Sequence, residues 1–76
     1  MGGRAHVMTG LVKRSFSLAG HRTSVALEPE FWEVLTRDAA EQGITLARLV
    51  ANVDMERGVA RPLASALRIH ALRCRS

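Results

Sequence analysis

Residues 20–32 read Gly-His-Arg-Thr-Ser-Val-Ala-Leu-Glu-Pro-Glu-Phe-Trp. Thr23, Val25 and Leu27 alternate with Arg22, Ser24 and Ala26, which is the period of a strand. Thr23 and Val25 are β-branched and suit a pleated surface. The inward set is Thr23, Val25 and Leu27, and the outward set is Arg22, Ser24 and Ala26. At Pro29 the ladder must stop, because proline has no N–H to donate, yet its fixed φ suits the first turn of a helix. Glu30 and Glu33 complement the positive end of that helix.

Downstream the pattern is helical. Phe31, Val34, Leu35 and Ala39 fall on one stripe, with Trp32 beside it, and predict a first helix over 29–42. Gly43 ends it. Thr45 is a candidate N-cap for a second helix over 46–57, with Leu46, Leu49, Val50 and Val53 inward and Arg48 outward. Gly58 stops that helix, and Pro62 opens a third that runs to about Arg73. The third helix carries two apolar sides: Leu63, Ala66, Leu67 and His70 on one, Ile69 and Leu72 on the other. A helix with two apolar sides in a small domain calls for more than one neighbour.

Upstream, residues 1–12 show no sustained period and read as a mobile tail, within which Met8 offers an alternative start. Residues 13–76 make up the domain. Arg14, Phe16 and Leu18 alternate with Ser15 and Ser17, and Ala19-Gly20 offers a turn. Residues 14–18 are therefore either a first strand folded back on 21–27 or an extended basic arm.

The chain has 76 residues and a formal net charge of +4. That length allows one domain with a thin core, marginal without disulfides, metal or oligomerisation. Cys74 is the only cysteine. It cannot form an internal disulfide and reads as an incidental thiol of a reducing cytoplasm. Oligomerisation is the remaining way to enlarge the core. Residues 1–22 carry Arg4, Lys13, Arg14 and Arg22 with no acid, while Glu28, Glu30, Glu33, Asp38 and Glu41 face Arg37 alone in 28–42. Arg68, Arg73 and Arg75 then close the chain. Basic ends around an acidic middle favour an anionic partner. No apolar run reaches the ~20 residues of a membrane span, and there is no signal-type h-region, so a cytoplasmic location without membrane contact is the expectation.

A strand with apolar residues on one face exposes a row of unpaired N–H and C=O groups. The same strand of a second copy, antiparallel across a two-fold axis, satisfies them. Thr23, Val25, Leu27, Phe31, Trp32, Leu35, Leu49, Val50 and Val53 would then form a dimer core.

The segments TSVALEPEFWEVL (23–35), AAEQGITLARLV (39–50) and LASALR (63–68) together resemble the ribbon-helix-helix domain, the superfamily of the Arc and MetJ repressors. They are closest to a bacterial subgroup in which a GHRTS strand leads into LEPEFW. The resemblance spans about residues 13–73. It implies a mostly α, α+β fold: one strand paired with a second subunit and two helices, to which the residues here add a C-terminal helix and leave 14–18 open between an extra N-terminal strand and an arm. It also implies a homodimer, or a larger oligomer, that lays its paired strands in the major groove of duplex DNA. The base contacts would fall on Arg22, Ser24 and Ala26. Arginine pairs well with guanine, serine pairs with any base, and alanine only meets a thymine methyl. Phosphate contacts would fall on Thr45, Leu46 and Ala47 at the start of the second helix, on Arg48, and on Lys13 and Arg14.

Two other roles remain open within the resemblance. One is an assembly module with little specific DNA binding, favoured if 14–18 joins the ribbon and widens it. The other is an antitoxin-like regulator, although the residues after the second helix read as a helix rather than a long disordered tail. His6, His21 and His70 lie in a tail, a strand and a helix without ligand spacing, so neither metal nor cofactor is expected. The serines lack a base partner and no phosphate loop is present, which speaks against an enzyme. Trp32 is more readily a packing residue than an exposed anchor for a partner.

Overall fold

A computed structural model describes residues 10–74. Two strands precede three helices: β1 (Val12–Leu18), β2 (His21–Leu27), α1 (Pro29–Gln42), α2 (Leu46–Glu56) and α3 (Leu63–Cys74). Residues 1–9 of the expected tail lie outside the described residues. Val12, also assigned to that tail, belongs to β1, so the strand begins two residues before the expected position 14.

β1 and β2 form an antiparallel two-stranded sheet. The two residues between them both have positive φ, 51° at Ala19 and 85° at Gly20. Those are the φ signs of a type I′ turn, whose twist matches the flanking strands. Glycine adopts this conformation freely, whereas alanine pays about 1–2 kcal/mol for it. The turn sets Val12 opposite Leu27, Arg14 opposite Val25, Phe16 opposite Thr23 and Leu18 opposite His21. Those side chains share the inner face. The extended-arm alternative for 14–18 is thereby excluded.

β2 thus finds one partner strand within its own chain, where the sequence pointed to a second copy. A two-residue loop brings β1 back at small entropic cost, and Phe16 and Leu18 supply apolar side chains to the inner face. Any pairing with a second copy concerns the remaining edge of β2.

The helices follow their local signals closely. Pro29 stands in the first turn of α1, and Glu28 precedes it in extended conformation without a side-chain cap. Gly43 leaves α1 at φ 74°. The N–H groups of Ile44 and Gly43 bond back to the carbonyls of Ala39 and Ala40 at 3.0 and 3.1 Å. This is a Schellman ending, which glycine favours. α1 buries Trp32, Leu35 and Ala39. Phe31 and Val34 are only partly buried, so the stripe is rotated by one residue from the expected one. Trp32 turns inward because it packs beneath the hairpin: its ring lies 5.9 Å from that of Phe16, and its Nε1 donates to the Val12 carbonyl at 2.7 Å.

α2 buries Leu49, Val50 and Val53. α3 buries Leu63, Ala66, Leu67 and Ala71, while Leu72 is exposed. α3 packs against α1, α2 and β2. Arg68 anchors it, with Nε 3.1 Å from Glu28 Oε1 and its guanidinium over the Phe31 ring. The Glu28 carboxyl is held below the usual carboxylate range, first by a hydrogen bond from its own backbone and then by Arg68.

Of the expected dimer core, Val25, Leu27, Trp32, Leu35, Leu49, Val50 and Val53 are already buried within a single chain. Thr23 and Phe31 are half-buried. β1 and α3 contribute to that burial within the single chain. Among the described residues no helix is long and apolar enough to cross a membrane.

Candidate nucleic-acid interface

Strand alternation sends Lys13, Ser15 and Ser17 of β1 to the same outer face as Ala26, Ser24 and Arg22 of β2, their register partners. Lys13, Ser15, Ser17, Arg22 and Ser24 are exposed and Ala26 is half-buried. Ser15 Oγ and Ser24 Oγ lie 3.0 Å apart and join the strands at mid-face. None of the six positions is acidic. Lys13 and Arg22 stand at opposite ends of the face, about 14 Å apart at strand spacing.

Four of the acids on the helical side are engaged locally, Glu28 with Arg68, Glu33 with Arg37, Asp54 with Arg57 and Asp38 with His70; Glu30, Glu41 and Glu56 are the others. Among the described residues, Lys13, Arg22 and Arg48 form no such pair. Their charges remain available to an anion, and a surface of this kind attracts phosphates with an affinity that falls as salt rises.

Arg14 is placed differently from its neighbour Lys13. It lies on the inner face, opposite Val25, with its guanidinium carbon 5.4 Å from the centre of the Trp32 ring. That is cation–π geometry. The sequence expectation grouped Lys13 and Arg14 as one basic pair, but period-two alternation separates them. The same alternation would have added Ser15 and Ser17 to the candidate face, and both were missed.

The other expected anion contact is on α2. Thr45 Oγ1 accepts from the Arg48 N–H at 3.0 Å, so Thr45 caps the helix. The cap occupies one of the otherwise orphaned N–H groups. The N–H groups of Leu46 and Ala47 have no intrahelical acceptor by the geometry of any helix start. Thr45, Ala47 and Arg48 are exposed and Leu46 is half-buried. Removing the cap by Thr45→Ala should cost about 1 kcal/mol, read as a lower melting midpoint at fixed chain concentration. An unchanged midpoint would leave the cap without a stabilising role.

Residues 11–74 match the model of a family described as Ribbon-helix-helix domain. No curated protein and no solved structure matches the chain.

Proposed function

The chain belongs to the ribbon-helix-helix domain family, and on that premise we propose that it is a small DNA-binding transcriptional regulator acting as a homodimer, with the outer face of its hairpin turned to duplex DNA. Members of the family are usually DNA-binding regulators. The observation that carries the reading here is the acid-free outer face of Lys13, Ser15, Ser17, Arg22, Ser24 and Ala26, whose two cations have no ion-pair partner among the described residues. We assign it no catalytic role, in keeping with a non-enzymatic regulator fold.

Two copies would pair through the remaining β2 edges, antiparallel across a two-fold axis. The sheet then has four strands, with the β2 strands central. At about 4.8 Å per strand the outer strands stand about 14 Å apart, against a major groove about 12 Å wide. The β1 strands therefore lie over the groove edges, and Lys13, Ser15 and Ser17 meet phosphates. The central strands aim Arg22, Ser24 and Ala26 at base edges. Of these only Arg22 is long enough to reach deeply and to pair with guanine O6 and N7. Leu46 and Ala47 N–H groups, Thr45 and Arg48 supply further phosphate contacts. Arg14 stays on Trp32. Recognition of this kind is strong in its backbone component and sparing in base readout.

The Arg22→Ala chain, tested on a duplex selected by the unaltered protein, should bind about 1–3 kcal/mol more weakly if each arginine makes a bidentate base contact. Equal affinity would remove Arg22 from base reading.

A second reading is favoured by the hairpin itself. A four-stranded sheet with small serine and alanine side chains on its open face is broad enough to stack on another sheet, making the domain an assembly module. Native mass spectrometry separates the two readings. A dimer that takes up duplex supports the regulator, and a higher oligomer that takes up none supports the module.

A further inference from the structure

α1 and α3 bring together three side chains that are far apart in sequence. Asp38 comes from α1, and His70 and Cys74 from successive turns of α3. A spacing of four residues puts His70 and Cys74 on one helical face. Potential ligand atoms of Asp38, His70 and Cys74 all lie within 4.8 Å of one another. Asp38 Oδ2 and His70 Nε2 are 2.9 Å apart. Gln42 Nε2 donates to the same Oδ2 at 2.8 Å and holds the carboxylate in place. Val34, Arg37, Asp38, Glu41 and Cys74 line an open groove at this point.

We propose that Asp38, His70 and Cys74 form a binding site for one divalent transition-metal ion of the zinc class. The donor set decides the class. A thiolate, an imidazole and a carboxylate suit zinc and its neighbours, whereas calcium and magnesium take oxygen ligands. Around a tetrahedral ion with bonds of about 2.0–2.3 Å, ligand atoms stand about 3.3–3.8 Å apart. The cluster reaches that spacing by opening the Asp38–His70 contact by about half an ångström and drawing the thiol inward. Three protein ligands leave a fourth position for water or another group.

In the metal-free cluster the Asp38 carboxylate already faces the His70 ring nitrogen and is held by the Gln42 amide. The thiol releases its proton to solvent as the metal–sulfur bond forms, and the imidazole binds the ion through Nε2 with its remaining proton on Nδ1. Gln42 remains bonded to Asp38 as an orienting partner. The bound ion would pin α3 to α1. This site is independent of the outer hairpin face and stands whether or not the protein binds DNA.

The test is a titration of the full chain, kept reduced by a phosphine, with Co2+ followed by absorbance. Cys74 is the only cysteine in the chain, so a thiolate-to-cobalt charge-transfer band reports this site alone. The expected result is such a band together with the visible bands of a tetrahedral site, saturating at one ion per chain and displaced by Zn2+. Cys74→Ser should abolish the charge-transfer band while leaving the metal-free melting midpoint unchanged. His70→Ala and Asp38→Asn should each weaken binding by at least about tenfold, with helical circular dichroism confirming that the variants fold. No charge-transfer band overturns the proposal. So does a band that survives both His70→Ala and Asp38→Asn at full affinity, which would mark a bare thiolate.

Discussion

Replacing Trp32 with alanine is expected to lower folding stability by about 3–5 kcal/mol. For a chain of this length, at about 0.05–0.15 kcal/mol per residue, that is about a quarter or more of the total. The indole is 3% exposed and joins α1 to β1 through three contacts. Its ring meets Phe16, its N–H satisfies the Val12 carbonyl, and Arg14 covers its face. Removing it leaves a cavity between α1 and β1 and frees the start of the hairpin. Trp32→Phe keeps most of the apolar area and loses the hydrogen bond, so its cost should be nearer 1 kcal/mol. Urea unfolding followed by circular dichroism, at one fixed chain concentration, reads both. A loss below about 1 kcal/mol in Trp32→Ala would mean that the hairpin is not held by this side chain.

Leu67→Ala should be nearly as damaging, at about 2–5 kcal/mol. Leu67 has no exposed surface and sits on α3, the element beyond the two helices of the basic strand-helix-helix pattern. The substitution therefore asks whether α3 is part of the core or a tail awaiting a partner. A large loss, with a single unfolding transition, makes α3 integral. A loss below about 0.5 kcal/mol, the range of ordinary surface substitutions, would detach α3 from the core and favour the antitoxin-like alternative.

Local signals were the legible ones. Alternation marked β2, Ala19-Gly20 marked the turn, and Pro29, Gly43 and Thr45 marked helix ends. Each depends on backbone chemistry within a few residues. Choices of neighbour were less visible. The free edge of β2 was assigned to a second copy because an isolated strand cannot show whether its partner lies in the same chain. Trp32 was set beside the α1 stripe because helical spacing alone does not tell which side chain the hairpin will cover. Asp38 and His70 are 32 residues apart, so only the packing of α3 on α1 brings them together. The four-residue step from His70 to Cys74 lies in the sequence, but with Cys74 read as an incidental thiol and His70 as an apolar-stripe residue it carried no expectation of a metal. Of the expected DNA contacts, Lys13, Arg22, Ser24 and Ala26 do share one face, and Arg14 does not. Alternation already contained that distinction, although adjacency in sequence obscured it.

The most direct test of the DNA-facing hairpin is the binding of the full chain to a labelled duplex by fluorescence anisotropy, repeated across a series of salt concentrations. The expected result is binding at low salt that weakens linearly on a log–log scale. Lys13→Ala should lower the magnitude of that slope by about one for each phosphate that the lysine no longer neutralises. No binding at low salt, or a slope indifferent to Lys13→Ala and Arg22→Ala together, would contradict it.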